Sequence, residues 1–142
     1  TGSVLARTGQ VLLVDCHSMP ASATAHVTPT VHGGVDVVLG DRYGSSCAED
    51  IAIMVETSLK KHGMRVVRNK PYAGGFITQN YGAPHRGLHA LQIEINRSLY
   101  MNEAALEKNS DFQAVKAILA EMTGTLLGEL EARFQPHQLA AE

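Results

Sequence analysis

The sequence predicts an α/β fold in which a mixed, largely parallel sheet carries helices on its faces. Short aliphatic runs such as VLLV at 11–14 and VDVVLG at 35–40 alternate with stretches of helical period. They follow in the order strand, strand, helix, strand, strand, helix. At 142 residues, 44% of them hydrophobic and 18% charged, the chain has the size of one compact domain with one core.

The run Val11 to Val14 is continuously aliphatic, the pattern of a central strand covered on both faces. Residues 21–34, ASATAHVTPTVHGG, are rich in small residues and contain Pro29, so they read as a loop. VDVVLGD forms a second strand ending at Gly40. A helix follows from SSCAED, with Ser45 or Ser46 as N-cap, Glu49 and Asp50 complementing the dipole, and Ile51, Val55 and Leu59 as the buried stripe. Lys60, Lys61, His62 and Gly63 end it. MRVVRN supplies the next strand, so residues 35–68 make a right-handed β-α-β unit with parallel strands. Residues 70–87 hold four glycines and two prolines and read as a long functional loop in which no helix starts. LHALQIEINR resumes a strand, with His89, Leu91, Ile93 and Ile95 on one face and Ala90, Gln92, Glu94 and Asn96 on the other. The last helix opens with the capping box Ser110-x-x-Gln113, buries Val115, Ile118, Leu119, Met122, Leu126 and Leu130, and frays near Gln135-Pro136.

A net charge of -2 offers no electrostatic reason to expect nucleic acid or an anionic membrane as partner. No apolar run is long enough to span a bilayer, no leader precedes the first strand, and two cysteines outside any C-x-x-C pair suit a reducing cytosol. The expectation is a cytoplasmic protein, and a homo-oligomer is compatible with it. The polar opening TGSVLARTGQ, which does not begin with methionine, suggests that the chain is a fragment.

Ligands in α/β folds bind beyond the carboxyl ends of strands. Asp15 and His17, two apart after VLLV, point to one side there. His17 reads either as a metal ligand or general base oriented by Asp15, or as a histidine satisfied at a strand end. Cys16 points the other way and reads as core. Glu94, between two isoleucines, is either a carboxyl tuned for proton transfer or a partner of Arg97 or Arg86. In YAGGFIT no Lys-Ser/Thr follows the glycines, so they serve close passage of backbone past a ligand, with Tyr72 and Thr78 as polar walls. His85 and His89 have helical zinc spacing, but Gly87 and the period-2 pattern argue against a helix, which leaves His89 packed or supporting. His26, His32, His62 and His137 read as solvated.

Together LLVDCHSMP, DVVLGDRYG, RNKPYAGGFITQNYG and GLHALQIEINRSLYM resemble the N-formylglutamate amidohydrolase family, closely over residues 9–103 and loosely in the last helix. The resemblance implies a three-layer α/β/α sandwich like that of the zinc carboxypeptidases and aspartoacylases, of which this single domain is the C-terminal part. It implies hydrolysis of N-formyl-L-glutamate to formate and glutamate in histidine breakdown. By motif, His17 corresponds to a zinc ligand and Glu94 to the general base; Asp15 and His89 stand beside them as supporting groups on the reading of the residues. Arg42, Arg86 and Arg97 are candidates for the substrate carboxylates, with Tyr72, Gly75, Thr78 and Asn96 as neutral donors or walls. The remaining zinc ligands, a histidine and a carboxylate, should precede Thr1. On that expectation these residues alone would be metal-free, inactive and inclined to self-associate through an uncovered strand edge. Two alternatives are a non-catalytic amino-acid-binding module and an amidohydrolase for another N-acyl amino acid.

Overall fold

The computed structural model describes residues 2–25, 27 and 34–134. Helix α1 (Gly2–Thr8) leads into strand β1 (Val11–Met19), followed by β2 (Val37–Gly40), α2 (Glu49–Lys61), β3 (Val66–Arg68), α3 (Phe76–Tyr81), β4 (Leu88–Asn96), the two-residue strands β5 (Met101–Asn102) and β6 (Glu107–Lys108), and α4 (Phe112–Phe134). The main sheet has the order β1-β4-β2-β3. β1 is parallel to β4 and β2 to β3, while β2 and β4 run antiparallel, so the sheet is mixed as expected.

Side-chain alternation along β4 divides the molecule. Leu91 and Ile93, with Val37 and Leu39 of β2, face α2 and α4, where Ile51, Val55, Leu59, Val115, Met122 and Leu126 complete the main core. The predicted α2 stripe packs, and so does that of α4 from Val115 to Leu126, while Leu130 is only half-buried and outside this core. The short α3 lies over the other face, against β4 and β1. A smaller core of Met19, Val35 and Val38 sits there too.

Several expectations change. β1 is the edge of the sheet among the described residues and runs on through Met19, so Asp15 and His17 lie within the strand rather than after it. Its residues are mostly half-buried or exposed, because it has β4 on one side only. Cys16 is exposed, not core, bordering a cavity of about 420 Å³ on the reverse face with Ile95, Tyr100, Phe112 and Leu119. Helix α2 starts at Glu49 with Ala48 at the N-cap and no side-chain cap, because Ser45 and Ser46 belong to the preceding turn, where the Ser45 hydroxyl donates to the Arg42 carbonyl at 2.7 Å. Helix α4 begins at Phe112, two residues beyond the expected cap Ser110. The loop 70–87 contains α3, whose N-cap is Gly75. His26, His32, His137 and the fraying near Gln135 lie outside the described residues. Among the described residues no helix is long and apolar enough to cross a membrane.

Candidate active site

The β1–β4 register pairs Asp15 with Gln92, His17 with Glu94 and Met19 with Asn96, so these side chains share one face of the sheet. His17 and Glu94 meet there: Nδ1 of His17 lies 4.0 Å from Oε1 of Glu94, while its Nε2 lies 3.0 Å from Oδ1 of Asp15. The histidine side chain is 48% exposed and the carboxylate 9%. That contrast follows from position, since the edge strand leaves the imidazole open and the inner strand closes around the glutamate.

Glu94 pairs with neither Arg97 nor Arg86 among the described residues. Its partner is Gln92, two residues earlier on the same face, whose Nε2 donates to Oε1 at 2.7 Å. The backbone N–H of Gly75 in turn donates to Oε1 of Gln92 at 2.8 Å. The signal for Gln92 in the sequence is its position in LQIEI, at i−2 from the glutamate and so on the same face.

The loop bearing Gly75 is held close to the sheet. A Cβ on Gly40 would lie 2.6 Å from the Gly74 nitrogen, so only glycine allows backbone to pass there. The N–H of Arg42 donates to the Ala73 carbonyl at 2.8 Å, and its Nη1 donates to the Gly74 carbonyl at 3.4 Å. Thr78, fully buried, donates to the Gly75 carbonyl at 2.9 Å. Behind this lies a second unforeseen group. Buried Asp41 accepts from Nδ2 of Asn69 at 2.7 Å and from Nη2 of Arg68, which also binds Glu49. Burial pushes the Asp41 carboxyl up, but hydrogen bonds from Asn69 and Arg68 and the Arg68 charge outweigh it and hold it below its ordinary 3.8.

The structure thus brings Asp15, His17 and Glu94 together on one face, with Glu94 hydrogen-bonded through Gln92 to Gly75 and with Thr78 and Arg42 behind the loop. Tyr72 is in the same loop, 36% exposed. Asn96 shares the face, but its amide donates to the Val35 carbonyl and accepts from Ser98, which makes it an organiser of the strand end. Arg97 turns to Ser18 and lies 3.9 Å from Glu103. Arg86 sits in the turn before β4, separated from Glu94 by roughly 20 Å of strand. Of the two readings of His89, packed or supporting, the structure shows the packed one: it lies on the opposite face from Glu94, 5% exposed, where Nδ1 accepts the N–H of Ala48 at 3.2 Å at the start of α2, so its assignment as a supporting group does not hold.

The sequence profile of the N-formylglutamate amidohydrolase family matches residues 2–101. The chain belongs to that family. It is 33% identical over 123 residues to the N-formylglutamate deformylase of Pseudomonas aeruginosa, covering 84% of this chain and 45% of that protein. It is 30% identical over 131 residues to the one from Pseudomonas putida, covering 89% and 48%. The N-formylglutamate amidohydrolase of Ralstonia eutropha superposes with a TM-score of 0.83 at 32% identity, over 92% of this chain and 47% of that one. A gene product of Agrobacterium tumefaciens, 23% identical with a TM-score of 0.51, shares the fold. The chain spans about half the length of the relatives it matches.

Among the described residues no three His, Cys, Asp or Glu side chains come together as a metal-binding set. His17, 48% exposed with Nε2 toward Asp15 and Nδ1 toward Glu94, suits a single ligand position.

Proposed function

We propose that the chain carries the proton-transfer part of a hydrolase that cleaves N-formyl-L-glutamate to formate and L-glutamate in histidine breakdown. The observation that supports it best is a buried carboxylate, Glu94, held by Gln92 and facing the open imidazole of His17 at 4.0 Å. A formamide is a poor electrophile, and formyl is too small to give much recognition. His17 would hold a divalent ion, zinc by its usual histidine and carboxylate preference, together with donors outside the described residues. Such an ion supplies polarisation of the formyl carbonyl and a more acidic water.

The chain's own residues do the rest. Glu94 accepts the proton of the water whose oxygen bonds to the formyl carbon, then returns it to the glutamate nitrogen as the C–N bond breaks. Asp15 orients His17 through its other ring nitrogen, 3.0 Å away. Recognition rests on the glutamate carboxylates, for which Arg42 is the arginine nearest the Gly75 loop, with Tyr72 and Thr78 along it. The other two predicted arginines, Arg86 and Arg97, would reach substrate only from the ends of β4. The reading extends to a cytoplasmic location, which this metabolic role and two unpaired cysteines suit. The reading is tested by incubating the purified full-length, zinc-supplied protein with N-formyl-L-glutamate and N-acetyl-L-glutamate and following formate and acetate by proton NMR. Formate release with little acetate is expected. Acetate release at an equal rate would assign a general N-acyl amidohydrolase, and no release of either from metal-loaded protein would contradict hydrolysis.

A further inference from the structure

We propose that Gln92 is a positioning residue, taking its own orientation from the backbone of Gly75 and fixing the carboxylate of Glu94 toward His17. The inference rests on Glu94 as the base, and it adds a group that the family motif places nearby without a task. Residues i and i+2 of a strand stand on one face about 7 Å apart, so the Gln92 side chain can lie alongside Glu94. An amide can be turned either way, but here the choice is made from outside. The Gly75 N–H can only donate, so it must meet the carbonyl oxygen of Gln92, and the NH₂ is thereby left for Glu94, whose ionised carboxylate only accepts. Gln92 and Glu94 are 5% and 7% exposed, so water does not compete for these bonds.

The donor that sets this orientation is itself fixed. Gly40 lets Ala73 and Gly74 lie against β2, Arg42 ties down the Ala73 carbonyl, and Asn69 joins the start of the loop to buried Asp41. The relay Gly75–Gln92–Glu94 therefore connects the Gly75 loop to the carboxylate oxygen that faces His17. A carboxylate held in one rotamer before substrate arrives needs no reorganisation at the moment of proton transfer.

The test uses Gln92→Met, which keeps length and volume and removes both polar ends. The rotamer distribution of Glu94 is read from side-chain NMR couplings in the native protein and the variant, together with zinc content, kcat and KM. The expected result is one Glu94 rotamer in the native protein and averaging in the variant. With it, kcat should fall about 10- to 100-fold, as for loss of an orienting partner, at unchanged KM and zinc content. Unchanged rotamers, or unchanged kcat in a folded variant, would overturn the proposal. If the variant does not fold, Glu94→Gln in the native background decides: the Gln92 side-chain amide and the Gly75 N–H should both shift, and if neither does, no relay exists. A native protein that releases no formate but keeps a single Glu94 rotamer dependent on Gln92 would refute the hydrolase reading while leaving the positioning role in place.

Discussion

Strands β1 and β4 are each nine residues long, run parallel and pair from Val11–Leu88 to Met19–Asn96, yet their surroundings are opposite. Among the described residues β4 has a neighbour on both sides and is almost wholly buried, whereas β1 has one and leaves Val14, Cys16, His17 and Ser18 exposed. The difference teaches where each kind of group can work. A carboxylate on the inner strand can be held by a neighbour such as Gln92 with water kept away. An imidazole on the edge strand stays free to engage whatever lies beyond the sheet.

The largest effects should separate the two strands by stability. Leu91→Ala on β4 should cost about 2–5 kcal/mol through lost burial and the cavity left behind. Val14→Ala on β1, 37% exposed, should cost about 0.5 kcal/mol or less. Urea denaturation measures both, and equal losses would mean that β1 is as enclosed as β4 in solution.

A somewhat smaller effect belongs to the group behind the Gly75 loop. Asp41→Asn removes the buried charge facing Arg68, which keeps Glu49, so the loss should fall at about 3 kcal/mol, the lower end for a broken buried pair. The sign with pH is fixed. The Asp41 carboxyl is held below its ordinary value in the folded state, so its contribution is complete above 3.8 and disappears as pH falls through the lower folded value. Acid titrations of stability should be steeper in the native protein than in Asp41→Asn, and parallel curves would remove Asp41 as an acid-sensitive anchor.

The smallest perturbation compares the two thiols. Cys47 is fully buried and its thiol is pushed up to about 12, chiefly by burial and then by Asp41 and Asp50. Cys16 is raised too, by burial and then by Asp15, but it is exposed on the open strand. Iodoacetamide near neutral pH should label Cys16 alone in the folded protein, slowly for a surface thiol, and Cys47 only after unfolding. Labelling of Cys47 first would contradict the burial of the inner sheet.

Much of this arrangement could be read before any coordinates. The alternation in LHALQIEINR placed Glu94 and Leu91 on opposite faces, because period 2 is a strong constraint once one face is apolar. The α2 stripe followed from spacing alone. What escaped depended on tertiary neighbours. VLLV matches a central strand, yet nothing in four aliphatic residues tells how many strands flank them. Alternation puts His89 on the face of Leu91, away from Glu94, but only the tertiary contact with Ala48 at the start of α2 decides between the packed and the supporting reading. The helix α3 starts after two glycines that suppress its signal, and although the β-α-β unit sets the ends of β2 and β3 side by side, the hydrogen bonds of Asp41 with Arg68 and Asn69 depend on side-chain geometry that the pattern does not carry.

The pairing of an inner carboxylate with an edge histidine is tested most directly by measuring zinc content and formate release together in the native protein, Glu94→Gln and His17→Ala. Glu94→Gln should keep its zinc and lose kcat by about 100-fold or more, as for loss of a proton-transfer group. His17→Ala should lose the zinc itself while remaining folded, since the edge position places little of the core on that side chain. Normal formate release by Glu94→Gln, or full zinc retention by His17→Ala, would contradict the account.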